Sequence, residues 1–313
     1  MSATLALAVD LGGTKVEAAL VDSSGLIRPG SRHRRPTGPA ASSEDLARAV
    51  TDAVRAALAG LERGDELVGT GIGSAGPLDS AVGAVSPLNL PAWRGYPLRD
   101  LVAESVTHSG FEAPVVLAID GLAITLAEAW IGAAAGQRNV MGMIVSTGVG
   151  GGLILDGRAV PGPSGNAGHI GHVEVAGHDE PCVCGGHGCL EAVASGPKTV
   201  AWAQQQGWAG NTGEELAVAH AAADPIARAA VHRAGRAIGQ AVASASSLVD
   251  LDVVAIGGGF ANVAPEIFDA IREAVAERHA LGFVMATRVV PSALGDAGPL
   301  IGAAALIHRG ADG

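Results

Sequence analysis

An α/β fold divided into two lobes is predicted by three features of this 313-residue sequence. Apolar runs of strand character alternate with stretches of helical periodicity, a strand followed by a glycine-rich turn occurs three times, and the length is ample for two hydrophobic cores. Residues 4–9 form an apolar run that ends at Asp10. Gly12-Gly13-Thr14 then makes a turn, and a second apolar run over 16–21 closes at Asp22-Ser23-Ser24-Gly25, a hairpin pattern. The basic group Arg32-His33-Arg34-Arg35 reads as a solvated loop. Ser42 begins a helix in which Leu46, Val50, Val54, Leu58 and Leu61 recur at helical spacing, and Asp45 completes a capping box with Ser42. Strands are expected over 68–72 and 115–119, with a helix over 122–131 straight after Asp120. The strand, turn, strand pattern returns at 141–146 and 153–155, with 147–152 as the turn. A helix over about 225–248 and a strand over 253–256 lead into Gly257-Gly258-Gly259, the third strand-to-glycine unit.

Composition narrows the function. A net charge of -11 argues against nucleic acid as a main partner, because phosphate backbones call for a concentrated positive surface. Hydrophobic residues make up 48%, yet no uninterrupted apolar run reaches the roughly 18 residues of a membrane span, so no membrane partner is expected. The opening MSATLALAVD lacks the basic segment of a secretory signal, and a cytoplasmic location is expected.

Glycine-rich turns after strands let backbone amides approach a polyphosphate without side-chain obstruction. The chain has neither Gly-x-x-x-x-Gly-Lys-Ser/Thr nor, at its first turn, Gly-x-Gly-x-x-Gly, so the P-loop and dinucleotide classes are set aside. What stands there is Asp10-x-Gly-Gly-Thr-Lys. A carboxylate at a strand end can hold water on Mg²⁺ while the turn amides and the Thr14 hydroxyl face phosphate. Lys15 reads equally as a phosphate contact or as an exposed hairpin residue.

All three cysteines, Cys182, Cys184 and Cys189, fall within a short stretch just after His169 and His172. Three thiolates and one imidazole make a closed tetrahedral Zn²⁺ set, which is structural because no position is left for water or substrate. Three reduced thiols without an ion are the alternative reading. His178 and His187 rank below His172 as the fourth ligand because both lie on glycine-rich loop.

DLGGTK (10–15), GIGSAGP (71–77), STGVGGG (146–152), AGHIGH (167–172), CVCGGHGCLE (182–191) and IGGG (256–259) stand in the order and spacing of the ROK family of sugar kinases, repressors and open reading frames, which the chain resembles over nearly its whole length. The resemblance implies a two-lobed actin-like (hexokinase-like) ATPase fold with an interlobe cleft and a zinc-stabilised loop. It also implies a small lobe of residues 1–117 plus 299–313, and a large lobe of 118–298 carrying the zinc loop and a dimerisation surface. It further implies transfer of phosphate from Mg-ATP to the 6-hydroxyl of a hexose or amino-hexose, structural Zn²⁺, and a homodimer or homotetramer. By the same resemblance, Asp120 is the catalytic base; on its own, an aspartate there is also a helix cap. Asp10, Gly12, Gly13, Thr14 and Lys15 match the first phosphate turn, Thr147, Gly148, Gly150 and Gly151 the second, and Gly257, Gly258 and Gly259 the adenosine region. Gly76, Asn89, Asp120, His169, His172 and Glu191 match substrate-facing positions, and His172, Cys182, Cys184 and Cys189 the zinc set.

The pattern departs from family glucokinases at two points. Ile119-Asp120-Gly121-Leu122 replaces Asn-Asp-Ala-Asn, and His169 stands where a glutamate is usual, closer to N-acetylmannosamine kinases. Both changes alter hydrogen-bonding capacity where sugar is expected, so N-acetylmannosamine, glucose and amino sugars such as kanosamine are the candidate substrates. Asn89 is placed to supply the amide that Ile119 lacks, or lies in a plain surface turn. Trp93 is expected to pack beneath that loop. The competing reading is a non-catalytic sugar sensor without a DNA-binding domain, since the chain begins at the hairpin with no room for a helix-turn-helix.

Overall fold

The computed structural model describes residues 3–310, and the chain divides into two compact units. One unit holds the described residues up to Ile131, the segment Arg158–Gly168 and the described residues from Asp296; the other holds Gly132–Gly157 and His169–Gly295.

The first unit is built on β1 (Thr4–Leu11), β2 (Lys15–Asp22), β3 (His33–Pro36), α1 (Ser43–Leu58), β4 (Glu66–Ser74), the two-residue β5 (Leu78–Asp79) and β6 (Ala84–Val85), α2 (Leu98–His108), β7 (Val115–Ile119) and α3 (Asp120–Ile131). The two-residue β10 (Arg158–Ala159) and the C-terminal α10 (Gly298–His308) complete it. Its sheet runs β3-β2-β1-β4-β7, with β1, β4 and β7 parallel and β2 antiparallel to β1. Residues 5–11 of β1 are all buried, as expected of a strand covered on both faces. Ala6, Ala8, Ala19 and Val21 pack on Leu300, Ala303 and Ala304 of α10. Helix and sheet lie close enough there that a Cβ at Gly71 would overlap the Ala303 carbonyl. Ser42 caps α1 by accepting from the Asp45 amide at 3.1 Å, as its sequence signals.

Two expectations are corrected here. The basic group is not a loop: residues 33–36 form β3 on the edge of the sheet, because Arg32 and Arg34 both reach the buried carboxylate of Glu17 (3.0 Å each). The first helix stops at Leu58, and Leu61 lies beyond it after the Ala59 cap.

The second unit contains β8 (Val140–Val145), β9 (Val149–Leu155), α4 (Leu190–Ala194), α5 (Gly196–Gln205), α6 (Gly213–Ala221), α7 (Pro225–Val249), β11 (Val253–Gly257), α8 (Glu266–Ala276), α9 (Gly282–Ala286) and β12 (Arg288–Pro291). β9, β8, β11 and β12 lie side by side in that order, β9 antiparallel to β8 and the others parallel. Asp224 starts α7 by accepting from the Ile226 and Ala227 amides at 2.9 and 2.8 Å, with Pro225 at the first helical position. Gly235 and Gly239, one turn apart on α7, lie against the Ile267 and Ile271 carbonyls of α8, so small residues set how closely these helices cross. No helix among the described residues is long and apolar enough to cross a membrane.

Candidate functional site

Asp10 ends the buried run of β1 and is paired in register with Gly73 of β4 on one side and Glu17 of β2 on the other. Gly73 in turn lies beside Ala118 of β7, two residues before Asp120 at the start of α3. A Cβ at Gly73 would sit 3.3 Å from the Ala123 Cβ and 3.9 Å from both the Asp10 Oδ1 and the Asp120 Cα, so Gly73 lies beside both acids. Burial, then the Asp120 carboxylate, push the Asp10 carboxyl up to about 7 against the opposing pull of Lys15 and Arg32. Asp120 Oδ1 accepts the Gly121 amide at 2.7 Å, so one of its oxygens is engaged at the helix start.

The turn after β1 is closed by the Gly12 amide donating to the Lys15 carbonyl at 2.9 Å. Thr37, just past β3, grips it from the side: its hydroxyl donates to the Gly12 carbonyl and its amide to the Thr14 carbonyl, each at 2.9 Å. Gly13 faces the Asn89 amide, which any side chain there would overlap. Asn89 is exposed and Gly76 half-buried, whereas Ile119 is buried at the end of β7. Trp93 is buried beneath the loop, stacked on Tyr96 and donating to Ser43 at 3.2 Å. Lys15 is drawn to Glu17, which also accepts from Arg32 and Arg34. Burial alone would push that carboxyl up, but the three cations outweigh it and hold it at about 2. Glu17 and Thr37 carry no signal in the sequence that singles them out, because Arg32 and Arg34 for the one and Gly12 and Thr14 for the other come from distant parts of the chain.

In the second unit the turn between β8 and β9 is shorter than expected. Only Ser146–Gly148 lies outside the strands, with the Ser146 amide donating to the Gly148 carbonyl at 2.9 Å. Gly150 and Gly151 are not in the turn but in β9, opposite Ile144 and Met143, because glycines with extended backbone pair as well as any residue. Thr147 and Gly148 remain at the turn. The Val149 amide donates to Glu191 Oε2 at 2.8 Å, and a Cβ at Gly148 would lie 2.6 Å from that oxygen. Gly258 lies with φ +98 against the end of β8, where a Cβ would overlap the Val145 carbonyl, and Gly196 donates to the Ser146 carbonyl at 2.8 Å. Gly258 and Gly259 thus border the end of β8 and the Ser146–Gly148 turn, whereas Gly257 ends β11 opposite Ile144 and lies against Ser292.

His172, Cys182, Cys184 and Cys189 bring one ligand atom each within 4.8 Å of one another. Cys182 Sγ is 3.6 Å from His172 Nδ1 and Cys184 Sγ 3.6 Å from Cys189 Sγ. A tetrahedron with Zn–S bonds of about 2.3 Å has edges near 3.8 Å, so the donor set fits zinc in number, type and spacing. The knuckle is shaped by Cys182 donating to the Gly186 carbonyl at 2.9 Å and Gly185 to the Cys182 carbonyl at 3.0 Å. His178 and His187 stay out of the set: His178 lies 3.3 Å from Arg233, and His187 lies 3.6 Å from Asp179. Arg233 of α7 pairs with Glu180 and donates to the Val193 carbonyl at 2.9 Å, fastening the loop to the helix. His169 is half-buried with its ring 5.9 Å from that of His172, and burial followed by His172 lowers its pKa.

Paired acids at the ends of parallel strands, glycine turns in both units and a Cys3His loop define the actin-like ATPase fold with a metal-ready loop. The chain belongs to the ROK family, which matches residues 6–310. A glucokinase from Streptomyces coelicolor is 30% identical over 97% of this chain and 98% of its own length. An N-acetylmannosamine kinase from Escherichia coli is 34% identical over 80% of this chain and 82% of its own. The structure of a ROK family glucokinase from Streptomyces griseus, in complex with glucose and AMPPNP, superposes with a TM-score of 0.82 at 31% identity, covering 98% of this chain and all 100% of that one.

Proposed function

We propose that this ROK family member is an ATP-dependent sugar kinase that transfers the γ-phosphate of Mg-ATP to the 6-hydroxyl of a hexose or amino-hexose, with Asp120 as general base. The observation that carries the reading is the approach of Asp10 and Asp120 across Gly73, beside the Gly12-Gly13-Thr14 turn. Mg-ATP brings the phosphoryl group, with the ion offsetting charge on the phosphate oxygens. The Asp120 carboxylate takes the proton of the sugar hydroxyl, a contribution of about 10²–10⁴ in rate. Asp10 is the residue that would attract the ion, for which its carboxyl has to lose the proton that burial and Asp120 favour. The amides of the first turn, with Thr14 and Lys15, take the donor phosphates, as do Thr147 and Gly148, while Gly257 to Gly259 border the adenosine.

By likeness to the family, Gly76, Asn89, His169, His172 and Glu191 are proposed for sugar recognition. With Nδ1 turned to the thiols, His172 keeps Nε2 for a sugar hydroxyl. A structural zinc holds the loop that carries it, and a cytoplasmic homodimer or homotetramer is proposed by likeness to the family. N-acetylmannosamine, glucose and amino sugars such as kanosamine remain the candidates, since His169 offers an imidazole where an acid is usual in glucokinases. An ADP-release panel over glucose, mannose, N-acetylmannosamine, N-acetylglucosamine, allose and kanosamine tests the reading, and ATP binding without ADP release on any of them refutes it. Asp120→Asn is expected to lower kcat by about 10²–10⁴ with sugar affinity within a small factor of wild type; retention of most turnover removes Asp120 from the role of base.

A further inference from the structure

The geometry points to Glu191 as a positioning residue for the phosphate donor: its carboxylate closes off the second glycine turn, and sugar hydroxyls that claim this carboxylate reopen it. The inference rests on the kinase reading above. A glycine turn receives phosphate through amides that have no other partner. Here the amide of Val149, the first residue of β9 and next to the turn, has one, Glu191 Oε2 at 2.8 Å. The same oxygen lies where a side chain on Gly148 would be, 2.6 Å from that Cβ position, so the absence of a side chain is what admits the carboxylate to the turn. An anion seated there presents negative charge to an incoming phosphate as well as occupying a donor, and both effects oppose binding.

The zinc loop fixes this arrangement from two directions. Glu191 follows Cys189 by two residues, and the Leu190 amide between them donates to the Val173 carbonyl at 2.9 Å. Gly171, beside His172, lies so close to the Val149 carbonyl that a Cβ would overlap it. Val149 is therefore held by its amide to the Glu191 side chain and by its carbonyl against the stretch that carries His172. The Glu191 backbone carbonyl accepts from Ser195 at 3.2 Å, and Gly196 next to it donates to Ser146 of the same turn at 2.8 Å. With the backbone tied at these points, the side chain is the part left to move. Sugar hydroxyls, as donors to a carboxylate, compete with the Val149 amide for it. Sugar binding thus favours donor binding, and donor binding favours sugar by the same factor. One result is that ATP meets a closed turn when no acceptor sugar is present, which limits wasteful transfer to water.

The test is calorimetric binding of MgADP to zinc-loaded protein. Glu191→Gln removes the charge and keeps an acceptor for the Val149 amide; Glu191→Ala removes both. Without sugar, each variant is expected to bind MgADP at least about fivefold tighter than wild type. A role in sugar contact alone, or in holding the fold alone, predicts unchanged or weaker MgADP binding, and affinities within twofold of wild type overturn the inference. Wild type supplies an independent measurement that no folding defect can obscure. The sugar that releases ADP in the panel is expected to tighten MgADP at least about fivefold, an effect lost in Glu191→Gln, and its absence from wild type overturns the inference as well. Wild type that binds no MgADP overturns the kinase reading itself and this inference with it.

Discussion

Replacing Asp10 by asparagine is expected to stabilise the ligand-free protein while disabling it. Asp10 is 8% exposed, and burial together with Asp120 pushes its carboxyl up to about 7 from an ordinary 3.8. The folded chain therefore binds a proton that the unfolded chain has released over most of the interval between those values. The contribution of this group to stability is fully present below about pH 4 and is lost as pH rises through about 7. Between pH 5 and pH 8 about two units of that window are crossed, and at about 1.4 kcal/mol per unit the loss is about 2–3 kcal/mol. Asparagine has no charge to desolvate. The stability advantage of Asp10→Asn over wild type is thus expected to grow by about 2–3 kcal/mol from pH 5 to pH 8. Urea denaturation of both proteins at the two pH values, without Mg²⁺ or nucleotide, measures it. An advantage that stays constant or shrinks between pH 5 and pH 8 refutes the assignment of Asp10 as a carboxyl strained by burial beside Asp120. Turnover of the variant is expected to fall sharply under the same reading, since the neutral side chain no longer attracts the ion.

Gly71→Ala is expected to destabilise the protein by about 3 kcal/mol, because its Cβ meets the Ala303 carbonyl and neither β4 nor α10 can move without opening the core; an unchanged unfolding midpoint in urea counts against that packing. Carefully prepared protein is expected to hold close to one equivalent of zinc, and less than about half an equivalent by elemental analysis counts against the Cys3His set. Burial pushes the Cys189 thiol up to about 12 in the absence of an ion, so zinc uptake has to release protons and is expected to tighten as pH rises from 6 to 8, which a competition titration with a chelator reads directly.

Much of this was legible from local pattern. Ser42 and Asp45 signal the start of α1, and the structure has the bond between them. The helix expected over 225–248 is α7, because Asp224-Pro225 is a strong start and the apolar stripe is long. The spacing of Cys182, Cys184 and Cys189 needed only one histidine to become a metal set, and His172 is the one that meets them. What pattern misread was pairing. Arg32 to Arg35 look like a solvated loop because charged residues are usually solvated, yet a carboxylate on the neighbouring strand recruits two of them to the edge of the sheet. Gly150 and Gly151 look like turn because glycine favours turns, yet they are held in β9 by β8.

The sequence by itself determined the family, the α/β fold, the acids at the strand ends and the Cys3His set, since each depends on residue type at short spacing. Only the tertiary structure decided what those residues face. It joined α3 to the first unit through its packing on α10, brought Asp10 and Asp120 together beside Gly73, and set Glu191 on the amide of Val149. Such contacts join residues dozens to hundreds of positions apart, and their energies depend on burial and approach distance, quantities that exist only once the chain has folded.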